Sequence, residues 1–462
     1  MRLSPRPRQG HPPTAPSSGP PRGPRRRLIC STLLGTTIEF FDLYIYSLAA
    51  GLYFAELFFP GASPAVSLIA SFGTLASGFL VRPIGGMIGG HFGDRYGRKK
   101  VLVASMIVMG VSTFCVGVLP SYQSIGLLAP IVLIVARLTQ GLGAGAEWGG
   151  GVLMLVEHMS KNRRGFWGSI VNFGTWVGIA LGTLMFAGIA ALPEDVQLWA
   201  WRVPFIASAV LVFVGLWVRL GVTETPVFVE SAQQTRGTAR DRRPLANVFR
   251  HHKKALLLSV FVAMGAGTYQ IYSTFATSYA HELELSMSTI LMFQFANALF
   301  AMGVTLFFGW LSDRTGRRVL IITGSVVVIP AAYLLFWSLN SRNLAMVMVS
   351  LLLVEIGHSL VCGPMGAFLA EMFETGARYT GVSLAYQIGG GAISGLGPLI
   401  ASSLVSAAGG PPHVYAVPLI VVCIAILTAV GAFLAPDRTR LPLAEVGVDK
   451  AGPQQQPAPL FP

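Results

Sequence analysis

The sequence predicts an all-α membrane protein with twelve transmembrane helices in two pseudo-symmetric six-helix halves. Three observations predict it. First, 53% of the 462 residues are hydrophobic and only 11% are charged, where soluble domains carry about 25% charged residues. Second, twelve apolar stretches, 28–55, 65–91, 100–120, 125–156, 166–191, 200–220, 255–280, 287–311, 318–338, 343–372, 379–408 and 413–435, each approach or exceed the roughly 20 residues that a helix needs to cross a bilayer. They lack the ten-residue alternation of a membrane barrel. Third, of 33 Lys and Arg, 29 fall in the two tails and in the loops that an even helix count places on one side. The opposite loops hold Arg342, and Arg82, Arg137 and Arg202 lie in helices or at their ends. This asymmetry puts both termini in the cytoplasm of a multi-pass cell-membrane protein. The net charge of +13 is then topology with a modest attraction to anionic lipid, and implies no nucleic-acid partner.

Residues 1–27, rich in Pro, Ser, Gly and Arg, read as a disordered cytoplasmic tail. The hydrophobic run that follows is long, charged and without a small-residue cleavage site, unlike a signal peptide. Residues 28–220 form the first six-helix bundle, 221–254 a basic cytoplasmic loop, 255–435 the second bundle and 436–462 a second disordered tail. Cys30, Cys115, Cys362 and Cys423 all fall in apolar segments, which implies no disulfide framework. The His residues are scattered without ligand spacing, so no metal is expected. No phosphate-binding Gly-rich loop with Lys and Ser/Thr is present, so neither ATP nor any other cofactor is implied. Nothing points to an enzyme.

The halves echo each other. "GHFGDRYGRKK" (90–100) follows the second stretch and "GWLSDRTGRR" (309–318) the eighth, with Asp94 and Asp313 219 residues apart. "VEHMSKNRRG" (156–165) ends the fourth and "AEMFETGARYTG" (370–381) the tenth, with Glu157 and Glu371, and likewise Arg164 and Arg378, 214 apart. Two landmarks at nearly one offset mark an internal repeat. Repeats with a site between them describe one class of secondary transporter. Arg–carboxylate pairs among Asp94, Arg95, Arg98, Glu157, Asp313, Arg314, Arg317, Glu371 and Arg378 are expected to latch the halves on the cytoplasmic face.

These loops, in a twelve-helix frame, resemble the major facilitator superfamily. More narrowly the chain resembles its metabolite:proton symporter family, through "GTTIEFFDLYIYS" (35–47), "VRPIGGMIGGHFGDRYGRKK" (81–100), "RLTQGLGAGAEWGG" (137–150), "WAWRVPF" (199–205), "VTETPVF" (222–228) and "RYTGVSLAY" (378–386). Glu374 stands where that family usually has proline. The resemblance implies proton-coupled uptake of an organic acid, shikimate or an osmolyte by alternating access. It maps a fourth-helix motif onto Arg137, Gln140 and Gly141, and an acidic first-helix motif onto Glu39 and Asp42. Proton antiporters of the superfamily usually carry Gly-Pro in the fifth helix. Here "GTWVGIALG" (174–182) lacks proline, which leans toward symport over efflux.

The buried charges can be argued from physics as well. A lone charge at the bilayer centre costs roughly 2.5–3.5 kcal/mol even on the lenient scale. Each therefore needs a partner or a cavity. Glu39 and Asp42 share one face of the first helix, and Arg137, Gln140 and Glu147 one face of the fourth. Helical rise sorts them into a lower cluster of Glu39, Arg82 and Glu147 and an upper one of Asp42 and Arg137. Burial and a nearby Arg shift a carboxylate's proton affinity in opposite senses, as coupling requires. Asp42, modulated by Arg137, is expected to carry the proton, with Glu39 or Glu147 as the alternative. Glu355 and His358, i and i+3 in the tenth stretch, read either as a packed pair or as contributors to solute or proton binding. Tyr44, Gln140, Asn172, Trp176, Tyr269, Gln270, Gln294, Asn297, Tyr386 and Gln387 are the central polar and aromatic candidates for binding a small polar metabolite. Arg137 could also receive a substrate carboxylate, and the aromatics could cage a quaternary amine. The expected function is symport of a small organic anion by a monomeric carrier, with an osmolyte symporter or an efflux carrier as alternatives.

Overall fold

The computed structural model describes residues 22–96, 98–145, 147–158, 161–220, 244–374, 377–439, 441 and 443. Among them the chain is helical, with no strand. Eleven helices are long and apolar enough to cross a membrane: Pro64–Gly89, Lys100–Gly117, Leu128–Glu157, Arg164–Ala190, Glu194–Val218, Lys253–Glu282, Met287–Thr315, Arg317–Asn340, Leu344–Met372, Arg378–Ala407 and Ala416–Leu434. Preceding them, Arg22–Leu52 has 31 residues, ample for a core of about 30 Å at 1.5 Å per residue. Glu39, Asp42 and a run of hydroxyls lower its hydropathy. With it as the first, the helices are twelve. It starts at Arg22, inside the expected tail, while residues 1–21 and most of the interdomain loop lie outside the described residues.

The polarity of the bundle is inverted relative to a soluble protein. Val210, Phe213 and Trp217 on the sixth helix are 65%, 72% and 73% exposed, whereas Glu39, Asp42, Arg82 and Arg137 are each at most 5% exposed. Apolar groups face the lipid and charges face the interior, where they find partners.

The helices meet through small residues. A Cβ on Gly141 of the fourth helix would lie 2.1 Å from the Gly78 carbonyl oxygen of the second, and one on Gly145 would lie 2.1 Å from the Arg82 carbonyl oxygen. Only glycine permits that backbone-to-backbone approach. Across the two sequence halves, the second helix packs on the eleventh and the fifth on the eighth. These two pairings exchange when each helix is advanced by six, the relation that the sequence repeat implies. The seventh and eleventh helices each contain a π-helical turn, Ile271–Phe275 and Gln387–Gly391. Such turns are local defects frequently found at functional sites.

Candidate functional site: a central cavity with buried charge networks behind it

A cavity lies between the first, second, fifth, seventh, tenth and eleventh helices, the between-helix position in which bundles form small-molecule sites. The sequence candidates Tyr44, Asn172, Trp176, Tyr269, Gln270, His358 and Tyr386 line it, together with Phe79, Arg82 and Cys362. The π-helical turn of the seventh helix begins beside the wall residue Gln270, and that of the eleventh begins beside Tyr386 and ends with the wall residues Gly390 and Gly391.

Four of the proposed solute-binding residues do not line the cavity. Gln140 belongs to a charge network described below. Gln294 donates to the Tyr272 carbonyl (3.3 Å), and Gln387 donates to the Gly145 carbonyl (3.2 Å). Asn297 is buried away from the cavity lining on the eighth helix. For the three glutamines an amide on an interior helix face bonds the bundle itself, a use that sequence spacing cannot separate from solute binding.

Several wall residues are tied across the sequence halves. Asn172 Nδ2 donates to the Cys362 carbonyl at 2.7 Å. Trp176 Nε1 donates to Thr305 at 3.0 Å, Thr305 and Ser359 hydroxyls share a bond at 2.7 Å, and Ser359 donates to Glu355 at 2.6 Å. His358 completes this wall, with Nδ1 3.6 Å from Glu355 Oε1 and Nε2 3.3 Å from Cys362 Sγ. Tyr386 stacks on Trp148 at 3.5 Å and 7°, a cross-half contact from the Gly-rich fourth helix.

The buried charges resolve into two arrangements. Arg82 Nη1 meets Glu39 Oε1 at 3.2 Å, with the guanidinium 4.7 Å above the Phe79 ring. Asp42 accepts from Thr113 at 2.8 Å through one oxygen and from Ser208 through the other. Among the described residues Arg137 has no carboxylate within ion-pair distance. It donates to Gln140 Oε1, Gln140 Nε2 donates to Thr113 Oγ1 (2.7 Å), and Thr113 donates to Asp42. The expected upper pair is therefore bridged by an amide and a hydroxyl. The Arg137 guanidinium instead lies 4.1 Å over Tyr46. Glu147 is buried at the start of Glu147–His158, and the carboxylate salt-bridged to Arg82 is that of Glu39. Sequence reasoning missed Thr113 and Ser208. Hydroxyls in such helices commonly bond their own i−4 carbonyls, as Ser47 does with Leu43, so nothing marked these two.

A third cluster sits at the end of the bundle carrying the Arg-rich loops. Asp313 accepts from the backbone N–H groups of Gly165 (2.8 Å) and Phe166 (3.0 Å), at the start of the fifth helix, and from Arg317 (2.8 Å). It thus caps a helix of the other half, where the dipole favours an anion. Glu371 lies 3.1 Å from Arg317 and 3.6 Å from Arg164. Arg378 meets Glu157 at 3.1 Å. Arg314 departs from expectation: it stacks 4.0 Å over Trp310 and forms no ion pair among the described residues. The side chains of Asp94, Arg95 and Arg98 lie outside the described residues. Glu374 pairs with His252 at 3.0 Å.

Twelve helices, a central cavity crossed by contacts between sequence halves, and charge clusters buried within the bundle define a polytopic membrane transporter. The Major Facilitator Superfamily family model matches residues 32–394 and 305–462, and the chain belongs to that superfamily. It is 38% identical over 394 residues to the inner membrane metabolite transport protein YhjE of Escherichia coli, covering 83% of this chain and 89% of that one. It is 35% identical over 426 residues to the shikimate transporter of the same species, covering 90% and 95%. To the glycine betaine/proline/ectoine/pipecolic acid transporter OusA of Dickeya dadantii it is 33% identical, covering 83% and 78%. In fold it is similar to the crystal structure of a D-xylose-proton symporter, with TM-score 0.70 at 17% identity, covering 90% of this chain and 99% of that one.

Proposed function

We propose that this protein is a proton-coupled symporter that takes up a small organic anion by alternating access. The observation that carries the reading is the arrangement around the first helix: Phe40, Leu43 and Tyr44 contribute to an aromatic-lined cavity, and the same helix carries the carboxylates Glu39 and Asp42 buried outside the cavity lining. In this reading the basic loops and both termini are cytoplasmic, the bundles 28–220 and 255–435 rock against each other, and a monomer suffices. The Asp313, Glu371 and Arg378 clusters hold the cytoplasmic side closed. Asp42 is the proton carrier. Its ionised form rests on two hydroxyl donors and, through Gln140 and Thr113, on the charge of Arg137.

Similarity to a shikimate transporter over 90% of the chain supports an acid as cargo. The aromatic wall of Tyr44, Trp176, Tyr269 and Tyr386 also suits a quaternary amine, and the similarity to a betaine carrier favours that second reading. One experiment separates them: uptake into proteoliposomes with an imposed proton gradient, across shikimate, dicarboxylates, proline and glycine betaine. An acid should accumulate, a protonophore should abolish the accumulation, and Asp42→Asn should lose it. Protonophore-insensitive accumulation would overturn the coupling, and gradient-driven accumulation by Asp42→Asn would overturn the role of Asp42.

A further inference from the structure

The wall of the cavity has an uneven charge. Of its lining side chains Arg82 is the one permanent cation, and none is a carboxylate. A guanidinium carries five N–H donors. That of Arg82 uses one, through Nη1 to Glu39, and its other donors meet no protein acceptor among the described residues. Its position is fixed from two sides. Phe79 lies under the guanidinium, and Gly145 of the fourth helix packs against the Arg82 carbonyl. Arg137, by contrast, does not line the cavity and is held by Gln140 and Tyr46.

We propose that Arg82 receives a carboxylate of the solute and that Glu39 is its displaceable partner. Anion binding and protonation of Glu39 then become one linked event. The proposal rests on the reading of the protein as a proton-coupled anion carrier and names the site and the solute class, a small ring-shaped monocarboxylate. The carboxylate takes the open edge of the guanidinium in the two-pronged geometry that Arg favours. The rest of the solute faces the other lining side chains, among them Tyr44, Trp176, Tyr269 and Tyr386 and the polar Gln270 and His358. The arriving anion competes with Glu39 for Arg82 and repels it, so Glu39 takes up a proton from the side to which the cavity is open.

Charge counting explains why the pair would move together. The empty site, Arg82 with ionised Glu39, is neutral. The doubly loaded site, Arg82 with the solute carboxylate and protonated Glu39, is also neutral. Anion alone leaves a net −1 and proton alone a net +1, both costly in the bilayer interior. Only the empty and doubly loaded forms of this pair can reorient cheaply, so solute entry is tied to a proton on Glu39 in addition to the one carried by Asp42. The first helix also carries Asp42, Tyr44 and Tyr46, and the charged and titratable groups on the helices packed against it include Arg137 and Glu147 on the fourth, Arg164 on the fifth, Arg202 on the sixth and Tyr269 and Tyr272 on the seventh; Tyr386 of the eleventh lines the same cavity as Arg82. Arg82 makes the salt bridge.

The test compares radiolabelled shikimate with its neutral methyl ester, bound to the purified full-length protein at pH 5.5 and 7.5. If the wild-type protein accumulates another ring acid better, that acid and its ester replace them. Wild type should bind the acid about tenfold tighter at the lower pH and prefer acid over ester at both. Glu39→Gln should lose the pH dependence of acid affinity, because the linked proton site is gone. Arg82→Gln should lose the preference for acid over ester. That variant leaves Glu39 ionised and unpaired in the bundle. The double variant Arg82→Gln/Glu39→Gln is neutral throughout and must lose the preference too. Retained acid preference in the double variant, or a retained pH slope in Glu39→Gln, overturns this proposal alone. A wild-type protein that accumulates glycine betaine but no acid overturns the anion reading, and this inference with it.

Discussion

Asp313→Asn should open the Arg-rich end of the cavity far more than Glu157→Gln does. Asp313 accepts two backbone N–H groups of the fifth helix and one from Arg317, and its side chain is 6% exposed. Asparagine keeps one acceptor oxygen, presents an NH₂ to a backbone donor and removes the charge at the helix start. A hydrogen bond to a charged group contributes about 1.5–3 kcal/mol and the helix-dipole interaction about 0.3–1 kcal/mol. The loss is therefore roughly 2–4 kcal/mol, or about 30- to 700-fold in the open-to-closed ratio at about 1.4 kcal/mol per decade. Glu157→Gln breaks an ion pair whose acidic side chain is 32% exposed. Exposed pairs contribute about 0–1 kcal/mol, so its effect stays below roughly fivefold. Cys362 lines the cavity and is a built-in reporter once the exposed Cys30, Cys115 and Cys423 are replaced by serine. The assay is the rate of Cys362 alkylation by a charged, membrane-impermeant maleimide added to the Asp313 side of sealed vesicles, with the protein shown to be monodisperse before reconstitution. A rate in Asp313→Asn no faster than in the parent, or one matched by Glu157→Gln, would refute the assignment of Asp313 as the principal latch.

Two further outcomes are expected. Gly141→Val places a side chain where a Cβ already falls 2.1 Å from the Gly78 carbonyl. Overpacking of about 1–3 kcal/mol or more should lower the melting temperature by several degrees in detergent, whereas Gly73→Ala, with no atom within 4 Å of its Cβ, should not. Truncation after Asp437 removes the Leu441 and Leu443 carbonyls that accept from Arg164 (2.9 Å) and Arg378 (2.7 Å). It should speed Cys362 alkylation in the same assay, and an unchanged rate would show that these carbonyls do not brace the latch.

What could be read in the sequence followed from cost. A charge in a bilayer must have a partner or a cavity, so Glu39, Arg82, Asp42, Arg137, Asp313 and Glu371 stood out, and the repeat paired the loops that hold several of them. Partners that cost little were invisible. Thr113 and Ser208, which hold Asp42, look like any other helical hydroxyls. Gln140, expected at the solute, bridges Arg137 to Thr113, because an amide can serve either use. The π-helical turns at 271–275 and 387–391 left no trace in hydropathy, which sees composition and not backbone register. Arg314 shared the repeat's charge pattern, yet the nearby ring of Trp310 holds it.

In the symport proposed above, Glu39 and Asp42, one turn apart on one helix, would respond to different things. Glu39 is salt-bridged to a cation in the cavity wall, so its ionised form is supported according to what else that cation touches. Asp42 does not line the cavity. Its oxygens are held by hydroxyls of the third and sixth helices, and its link to Arg137 runs through two neutral groups. Its ionised form therefore depends on whether the first helix stays registered against the third and sixth, that is, on the packing of the bundle rather than on occupancy. The proposed cycle would use both kinds of response. One commits the proton when solute is present, and the other releases or takes it when the helices shift. Placing them three residues apart on a single rigid helix lets a small motion of that helix change both environments at once.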